Sequence, residues 1–393
     1  MLIQQAVDDD IHPPRSGGTQ RAFGLARGLA SSHEVRVLCI VPNRQGSVGD
    51  AQVDGVHLIR RRAWHTSLAW RLDRWGLAPM FTTAHGHARN AAHYARALGA
   101  EADVLSCELH LSGMLERSRA RLRVYASQNV EADRFLSSDS RLIARSHWAA
   151  RLRALEGGVV ARADLTVACS DEDAARLCAL YGAREEAMAV IPNGFDERVS
   201  HPPTDSERTA ARAALDLPAD AFAAVFVGAD WGPNREALGF LVNHVMPTLA
   251  GTGVRLLVAG SVCSAIASRR EPWLRALGVV EDLRSVLHAA DVGLNPMAEG
   301  GGSNVKLPGY LAAGLACLTT SFGVRGYADL ATHCVVAERA SFADALRARP
   351  LGWAARREPP PGPLAGYAWS ALGARLGRIY ESRLTPRVVG GAA

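Results

Sequence analysis

The stretch NPMAEGGGSNVKL, residues 295–307, continues as PGYLAAG, residues 308–314, and decides the fold of this chain. Immediately before it, residues 290–294 (ADVGL) have the apolar character of a short buried strand. After the glycines, apolar side chains recur at helical spacing until Gly314 ends the run. The pattern therefore predicts a strand, a loop of three glycines and a helix.

This loop has the chemistry of an anion-binding site. Its glycines let the backbone approach a ligand closely, and the helix that follows, with Ser303 or Asn304 as its expected cap, offers free N–H groups to a negative charge. Lys306 is the only lysine in the chain, and a compact positive charge just past such a loop suits a phosphate. The alternative is a tight turn with Lys306 on a solvated surface, because single glycine motifs also match by accident.

Length and composition limit the classes of protein to consider. A chain of 393 residues exceeds one ordinary core, so we expect two or three domains. With 48% hydrophobic and 21% charged residues, the composition is that of a soluble globular protein. The formal charge of +5 suits a partner that carries phosphates. There is no lysine- and arginine-rich tail, so we expect no nucleic acid partner.

The cysteines and the N-terminus indicate a cytosolic protein. Seven cysteines are scattered without a Cys-x-x-Cys pair, which predicts reduced core residues and no zinc site. Residues 1–8 (MLIQQAVD) lack the basic start and the long apolar core of a signal peptide. No segment reaches the length of apolar residues that a membrane span requires. We therefore expect a cytoplasmic protein, either free or peripheral to the inner face of the membrane.

The first half of the chain begins with a βαβ pattern. Residues 2–7 and 34–41 read as strands, and between them a Gly-Gly loop opens a helix. A strand, helix and strand in this order imply a parallel sheet. Gly17 and Gly18 at the start of that helix are a second candidate contact for an anion or a hydroxyl group.

Residues 60–81 are rich in tryptophan and arginine, and they leave two interpretations open. The residues that recur at helical spacing are Trp64, Leu68, Leu72 and Trp75, whereas Arg71 and Arg74 are expected to point elsewhere. The segment is either an interfacial helix that rests on an anionic membrane surface, or a stripe that packs on its own domain or lines an acceptor cleft. On the next helix, His85, His87 and His93 show no ligand spacing and are interpreted as structural or solvent-facing.

Polar residues follow a further strand of this half. Residues 103–107 and 123–127 read as strands, and the second is followed by Gln128, Asn129 and Glu131. Because the carboxyl ends of parallel strands border the ligand crevice, these three side chains are site candidates by position.

A polar, proline-bearing stretch, residues 201–220, is the best candidate for a linker or linker helix, and the strand–helix pattern restarts after it. Residues 222–227 and 254–259 read as strands. Asn234 and Arg235 lie in the first turn of the helix that follows strand 222–227. There the guanidinium group of Arg235 could bind a phosphate through two hydrogen bonds. An arginine on the solvent-exposed surface is an equally good interpretation.

The whole pattern predicts an α/β protein with two doubly wound Rossmann-like domains that face a shared cleft. We expect an N-terminal domain over 1–198, a C-terminal domain over 199–365, and a last helix in 366–393 that packs back on the N-terminal domain. Residues 351–363 read as irregular, and the residues at the end of the chain as frayed.

These residues resemble a known family. Residues 226–238 (FVGADWGPNREAL) and 278–327, which contain the glycine loop, are similar to the second domain of GT-B glycosyltransferases of family GT4. In the first half, VIPNGFD (190–196), GGTQRAFGLARGLA (17–30) and SQNVEADRF (127–135) resemble the turn that ends the first domain, its glycine-rich loop and helix, and a segment of the type HNVE. The resemblance is weakest in 45–100 and after residue 330.

The resemblance implies a retaining, metal-independent transfer of a sugar from a nucleoside diphosphate, UDP- or GDP-linked, to a saccharide, lipid-linked or small-molecule acceptor, in surface polysaccharide or glycolipid assembly. It implies no cofactor and no metal ion. The diphosphate and sugar of the donor would be bound by Asn234, Arg235, Gly301, Gly302, Ser303, Asn304 and Lys306, with Gly17 and Gly18 nearby. Asn129 and Glu131 would lie on the acceptor side. A leaving diphosphate develops negative charge, which fixed N–H groups and cations stabilise.

Two positions depart from the family pattern. Gly309, preceded by Pro308, stands where members carry a glutamate that holds the nucleotide ribose. Gln128 stands at the place of the active-site histidine; as the candidate catalytic residue it can hydrogen-bond a sugar hydroxyl but cannot take a proton. These departures motivate a second hypothesis, a degenerate protein that binds a nucleotide sugar or a partner without turnover. A Rossmann oxidoreductase is a third, and the absence of G-x-G-x-x-G after the first strand argues against it.

Overall fold

The structure is a computed structural model that describes residues 1–41, 48–99, 101–137, 143–349, 353, 358–359 and 362–385. Most of the irregular stretch 351–363 and the end of the chain after Thr385 lie outside these residues. The chain folds into two compact units. The first comprises 1–14, 18–191 and the chain from Ser370 onward, and the second comprises 15–17 and 192–369.

The first unit is built on a parallel sheet. In the described part of the chain it has eight strands, in the order β3-β4-β2-β1-β5-β6-β7-β8, and every neighbouring pair is parallel except β3 and β4. Their bounds are β1 Leu2–Val7, β2 Glu34–Val41, β3 Gly49–Val53, β4 Val56–Arg62, β5 Val104–Cys107, β6 Leu122–Ala126, β7 Leu165–Ala168 and β8 Met188–Val190. The nearly continuous apolar character of β1, β2, β5 and β7 reflects burial on both faces of the sheet.

Helices complete this first unit. Their bounds are α1 Gly17–Ala30, α2 Trp64–Arg74, α3 Thr83–Leu98, α4 Glu131–Ser137, α5 Arg145–Arg162 and α6 Asp171–Tyr181. Ser170 caps α6 by accepting a hydrogen bond from the N–H of Asp173. The core between α3, α5 and the sheet contains large buried side chains such as Tyr94, Met114 and Tyr125.

The second unit is a smaller parallel sheet of the same kind. Its described strands run in the order β11-β10-β9-β12-β13-β14, with all neighbours parallel. Strand bounds are β9 Phe222–Val227, β10 Val254–Ala259, β11 Leu274–Gly278, β12 Val292–Asn295, β13 Ala316–Thr319 and β14 Val335–Val336. Helix bounds are α7 Asp205–Ala214, α8 Gly232–Phe240, α9 Leu283–Ala289, α10 Lys306–Ala312 and α11 Arg339–Ala348. The two doubly wound parallel sheets expected from the sequence are therefore confirmed.

The stretch 201–220, interpreted from sequence as a linker or linker helix, is a structural part of this second unit. Thr204 and Glu207 form a reciprocal capping box that starts α7. From that helix Arg208 binds the buried carboxylate of Asp291 at 2.5 Å, and Arg212 lies 3.6 Å from the same group. The helix is polar because its arginines hold a buried acid at the start of β12, and not because it is a free connection.

The last helix, α12 (Trp369–Leu384), packs on α1 within the first unit. A side chain on Gly373 would overlap the backbone of Gly28, and a Cβ on Gly377 would lie 2.7 Å from the ring of His33. Two glycines four residues apart therefore let α12 approach α1 closely. Among the described helices, none is both long enough and apolar enough to cross a membrane.

Candidate functional site

In the second unit, β9, β12 and β13 end at one edge of the parallel sheet. The glycine loop follows β12 and leads into α10, whose first residue is Lys306. The loop is therefore at the edge where doubly wound sheets bind their ligands. Tyr310 of α10 covers Gly293 of β12, where any side chain would overlap its ring, and its hydroxyl accepts a hydrogen bond from the N–H of Val227 at 3.0 Å.

The ammonium group of Lys306 is held by neutral partners. It donates to the amide oxygen of Asn234 at 3.0 Å, lies 3.7 Å from the sulfur of Met297, and stands 4.8 Å from the ring centroid of Phe226. In the described part of the chain it has no carboxylate within ion-pair distance. A positive charge in this position has contacts that fix its place but no anion that neutralises it.

Burial has the expected electrostatic effect on this lysine. Removal from water disfavours the ammonium form and lowers the pKa of Lys306 to about 7. A bound anion would supply the missing charge and favour the protonated form. A negatively charged ligand at this position would therefore stabilise the protonated form of Lys306.

Free backbone N–H groups accompany this cation. Gly300 and Gly302 have φ values of 138° and 64°, a conformation that requires glycine. Within the residues that the structure describes, the N–H groups of Gly301, Gly302 and Asn304 donate no hydrogen bond. These N–H groups are therefore not used by the described part of the protein itself.

The predicted cap of the following helix is wrong. Helix α10 begins at Lys306 and has Val305 at its N-cap position, where no side chain can accept a hydrogen bond. Ser303 is used otherwise. Its hydroxyl accepts a hydrogen bond from the backbone N–H of Asn193 at 3.4 Å, and its carbonyl oxygen accepts one from the side chain of Asn193 at 2.9 Å. The amide of Asn304 reaches the carbonyl of Gly323 at 3.4 Å. Both side chains hold the loop in place. Helix α10 has only seven residues, so an anion at this site would be stabilised mainly by Lys306 and the loop and less by the helix dipole.

Asn234 and Arg235 differ in their surroundings. The buried side chain of Asn234 donates to the carbonyl of Ala229 at 3.0 Å and accepts from Lys306, so it connects the loop after β9 to the glycine loop. Arg235 is exposed and pairs with Asp230 at 2.8 Å. The structure thus places Asn234 in contact with Lys306, whereas Arg235 would have to leave an ion pair to reach a phosphate.

Gly309, which stands where the family pattern has a glutamate, is packed closely. A Cβ at this position would lie 3.3 Å from the hydroxyl of Ser200 and 3.9 Å from the side chain of Phe195. A glutamate here would therefore require the neighbouring segment to move.

The first unit brings a different set of polar groups to the carboxyl edge of its sheet. Glu108 follows β5 and Gln128 follows β6, and the amide nitrogen of Gln128 donates to the carboxylate of Glu108. Gly17 and Gly18 open α1, and a Cβ on Gly18 would lie only 2.6 Å from the amide oxygen of Gln128. The absence of a side chain at Gly18 therefore makes room for Gln128, whatever else that glycine contacts.

A buried histidine–aspartate network lies beside this pair. Asp8, at the end of β1, binds Nδ1 of His110 at 3.0 Å and lies 3.3 Å from Nε2 of His87, which in turn contacts His65 at 3.1 Å. Burial acts to raise the pKa of Asp8, but hydrogen bonds from His110 and His87 outweigh it and lower that pKa to about 2. Burial acts to lower the pKa of His110, but its bond to Asp8 prevails and raises it. Asp8 is therefore ionised at neutral pH, and its carboxylate favours the protonated form of His110.

Asn129 and Glu131, the expected acceptor-side residues, bind each other. The amide of Asn129 donates to Glu131 at 3.2 Å, and Arg134 donates to the other oxygen of Glu131 at 2.7 Å. The start of α4 is closed by the fully buried Glu156, which accepts hydrogen bonds from the backbone N–H groups of residues 131 and 132. The donors at this helix start are therefore occupied by the protein's own carboxylate.

The tryptophan-rich helix α2 presents its apolar residues to solvent. Trp64, Leu68 and Trp75 recur along one face and are 71%, 45% and 67% exposed. Arg71 shares that face, in contrast to the expectation from sequence, and the guanidinium of Arg74 lies 5.5 Å from the ring centroid of Trp70. Leu72, the fourth residue of the predicted stripe, is partly buried, so within the described residues the stripe is exposed at three of its four positions.

Sequence reasoning found both members of the Asn129–Glu131 contact, but neither member of the Asp8–His110 contact. It singled out Gln128 and Gly18 but not Glu108, and it interpreted His87 as structural without its partner Asp8. A carboxylate directly after a strand, as at Asp8 and Glu108, was the available signal. No group of three or more His, Cys, Asp or Glu side chains in the described residues is placed to hold a metal ion.

Comparison with known proteins agrees with this description. The family model described as "Glycosyl transferase 4-like domain" matches residues 16–194, and the model described as "Glycosyl transferases group 1" matches residues 221–348. D-inositol 3-phosphate glycosyltransferase 1 of Catenulispora acidiphila is 41% identical over 73 residues, which are 19% of this chain. The match spans only 17% of that relative's length.

Solved structures match over nearly the whole chain. Sucrose-phosphate synthase from Thermosynechococcus elongatus has a TM-score of 0.72 at 14% identity and covers 97% of this chain and 98% of its own. The trehalose-phosphate synthase of Burkholderia xenovorans in complex with glucose-6-phosphate has a TM-score of 0.67 at 12% identity, with 97% and 99% covered. HepE of Anabaena in complex with UDP and glucose has a TM-score of 0.58 at 13% identity, with 97% and 95% covered. At such identities the likeness shows the fold alone. With the two family models, which together cover most of the sequence, it shows that the chain belongs to the group 1 glycosyltransferases.

Proposed function

We propose that this protein transfers a sugar from a nucleoside diphosphate, UDP- or GDP-linked, to a hydroxyl-bearing acceptor, with retention at the anomeric carbon and without a metal ion. One observation carries the proposal: the ammonium of Lys306 is half-buried and lacks an anionic partner among the described residues, and the preceding loop contains three backbone N–H groups that donate no hydrogen bond within those residues. A diphosphate fits this set of donors.

The same donors account for the chemistry. When the bond from the sugar to the diphosphate breaks, negative charge develops on the leaving oxygens. A fixed ammonium and fixed N–H groups stabilise that charge without having to reorganise. Lys306 would thus take the role that a divalent cation has in other transferases. Retention rests on the family resemblance.

The donor test uses four probes: UDP, GDP, UDP-glucose and GDP-glucose. We expect one pair to raise the melting temperature and to bind in calorimetry, and NAD to have no effect. Release of nucleoside diphosphate in the presence of EDTA then tests turnover without metal. Failure of all four probes to bind would refute the proposal. The configuration of the product, read by proton NMR, tests retention.

Binding without turnover is the second candidate. It is favoured by Gln128 at the place of the family's histidine and by Gly309 at the place of its glutamate. A protein that binds UDP or GDP tightly but releases no diphosphate over many hours, with a panel of sugar, sugar-phosphate and polyprenyl-phosphate acceptors, would be such a binder.

We also propose that α2 contacts an anionic membrane surface. Exposed Trp64, Leu68 and Trp75 would enter the interface, and Arg71 and Arg74 would bind the headgroups. The test is sedimentation with vesicles of phosphatidylglycerol and phosphatidylcholine. The double change R71E/R74E should abolish binding, and the matched change R375E/R378E on the exposed side of α12 should leave it. Equal loss in both variants, or no binding by the native protein, would contradict the idea.

A further inference from the structure

The two ends of the Gln128 amide have different neighbours. Its nitrogen donates to the carboxylate of Glu108, which follows the adjacent strand of the sheet. Its oxygen lies beside the backbone of Gly18, where a Cβ would come within 2.6 Å. The amide is therefore not symmetric in its surroundings, and one end of it faces the start of α1.

The charge of the Glu108 carboxyl group determines which end of the Gln128 amide faces the start of α1. An ionised carboxylate can only accept hydrogen bonds, so it requires the N–H₂ group of Gln128 to face it. A protonated Glu108 carries an O–H group, which can donate to the amide oxygen instead and removes the preference. The proton on Glu108 thus controls whether Gln128 presents an acceptor or a donor at the edge of the sheet.

Several groups set the charge of Glu108. Burial raises its pKa to about 7, while His110 on the same segment and the amide of Gln128 act to lower it. From the end of β1, Asp8 and Asp9 oppose ionisation. The thiols Cys39, Cys107 and Cys169 also face this region, and burial raises the pKa of each of them, so they stay neutral near pH 7. His87 of α3 and His65 of α2 also reach this region through Asp8.

We propose that Glu108 is a positioning residue that fixes Gln128 as a hydrogen-bond acceptor for a sugar hydroxyl of a substrate. This rests on the proposed function. A glutamine amide can either donate or accept, and the ionised carboxylate of Glu108 removes that freedom from Gln128. The site then selects a group that can donate at this position, and rejects one that can only accept.

Replacing one hydroxyl group of the sugar by fluorine tests this selection directly, because a C–F group is a weak hydrogen-bond acceptor and cannot donate a hydrogen bond. The probes are UDP-glucose and its 2-, 3-, 4- and 6-deoxyfluoro analogues, or the GDP series if GDP binds. At pH 8.5 we expect the affinity of the native protein for one analogue to be at least about tenfold lower than for the parent sugar nucleotide. The reason is that the oxygen of Gln128 then has no hydroxyl group to donate to it. In Glu108→Gln the penalty should fall below about threefold at both pH 8.5 and pH 5.5, since the amide can then turn. The absence of a penalty in the native protein, or the same penalty in Glu108→Gln, would overturn the proposal.

A ligand-free measurement separates this proposal from the proposed function. The side-chain amide signals of Gln128, in protein labelled with ¹⁵N-glutamine and assigned through Gln128→Asn, should shift with pH around 7. That shift should vanish in Glu108→Gln and persist in His110→Asn, and exposed Gln52 serves as the internal reference. A flat Gln128 signal in the native protein, or a titration that follows His110 instead, would refute the role of Glu108 even if nucleotide sugars bind. Failure of every nucleotide sugar to bind, with the titration intact, would instead refute the proposed function.

Discussion

The amide oxygen of Asn234 lies 3.0 Å from the ammonium nitrogen of Lys306, across 72 residues of sequence. The amide orients the lysine without neutralising it, because a neutral oxygen leaves the positive charge unpaired. Burial at the same time lowers the pKa of Lys306 to about 7. A cation that is fixed in place but only partly protonated at neutral pH should bind an anion and a proton together.

Binding of UDP, or of GDP if that is preferred, should therefore take up a proton. Above pH 7 the free protein holds Lys306 largely neutral, whereas the complex favours its charged form, so affinity should fall by up to about tenfold per pH unit between pH 7 and 9. Calorimetry at pH 8 in buffers of different ionisation enthalpy measures the uptake. We expect close to one proton in the native protein and a clearly smaller number in Lys306→Ala. Equal uptake by both proteins would contradict the role of this lysine.

Removal of the ammonium should weaken diphosphate binding at pH 6.5, where the lysine is charged. For Lys306→Ala we expect a loss of about 1.5–3 kcal/mol, the range for a hydrogen bond to a charged group. Arg275→Ala, which removes a positive charge from an exposed ion pair on β11 of the same unit, should change the affinity far less. Equal losses in the two variants would mean that only net charge matters.

A carboxylate beside Lys306 should compete with the ligand. Asn234→Asp replaces the neutral oxygen at 3.0 Å by a charged one, which would form an internal ion pair and raise the pKa of the lysine. We expect this variant to bind UDP or GDP at least about tenfold more weakly, by analogy with the energy of a charged hydrogen bond. Its melting temperature should be equal to or higher than that of the native protein. Unchanged affinity would place the diphosphate elsewhere.

The order of strands and helices could be predicted from the sequence because it depends on local patterns. Residues 2–7 and 34–41 have the bounds expected, although Gln4 and Gln5 interrupt the apolar residues of the first strand. β3 and β11 were not recognised, because exposed edge strands such as GDAQV lack an apolar signal. The sequence marks Asn234, and a carboxylate after a strand marks Glu108 and Asp8, but the pairing of these groups with Lys306, Gln128 and His110 could not be predicted. Those contacts join residues that are far apart in the chain, and spacing along the chain does not determine which side chains meet.

Close packing at the loop after β9 gives a stability prediction. Gly260 has a φ of 105°, and a Cβ there would overlap the carbonyl oxygen of Gly228. Gly260→Ala should therefore destabilise the protein by several kcal/mol, since backbone on both sides must move. Gly251→Ala is the matched control, with a φ of 79° but open space around the added methyl group. It should cost about 1–2 kcal/mol, from the backbone conformation alone. Chemical unfolding compares the two, and a similar loss in both would contradict the steric argument.

The Asp8–His110 pair makes a prediction that NMR can check residue by residue. Burial acts to lower the pKa of His110, and its hydrogen bond to Asp8 at 3.0 Å overcomes that effect, so the pKa lies above the ordinary value of 6.5. The pair therefore stabilises the fold fully below about pH 6.5, and this contribution of His110 is lost as pH rises through its folded pKa. In Asp8→Asn, burial remains without the carboxylate, and the His110 midpoint should fall below 6.5. Asp50→Asn, at an exposed pair with Arg61, should leave it in place. A His110 midpoint that does not move in Asp8→Asn would show that another group holds its proton.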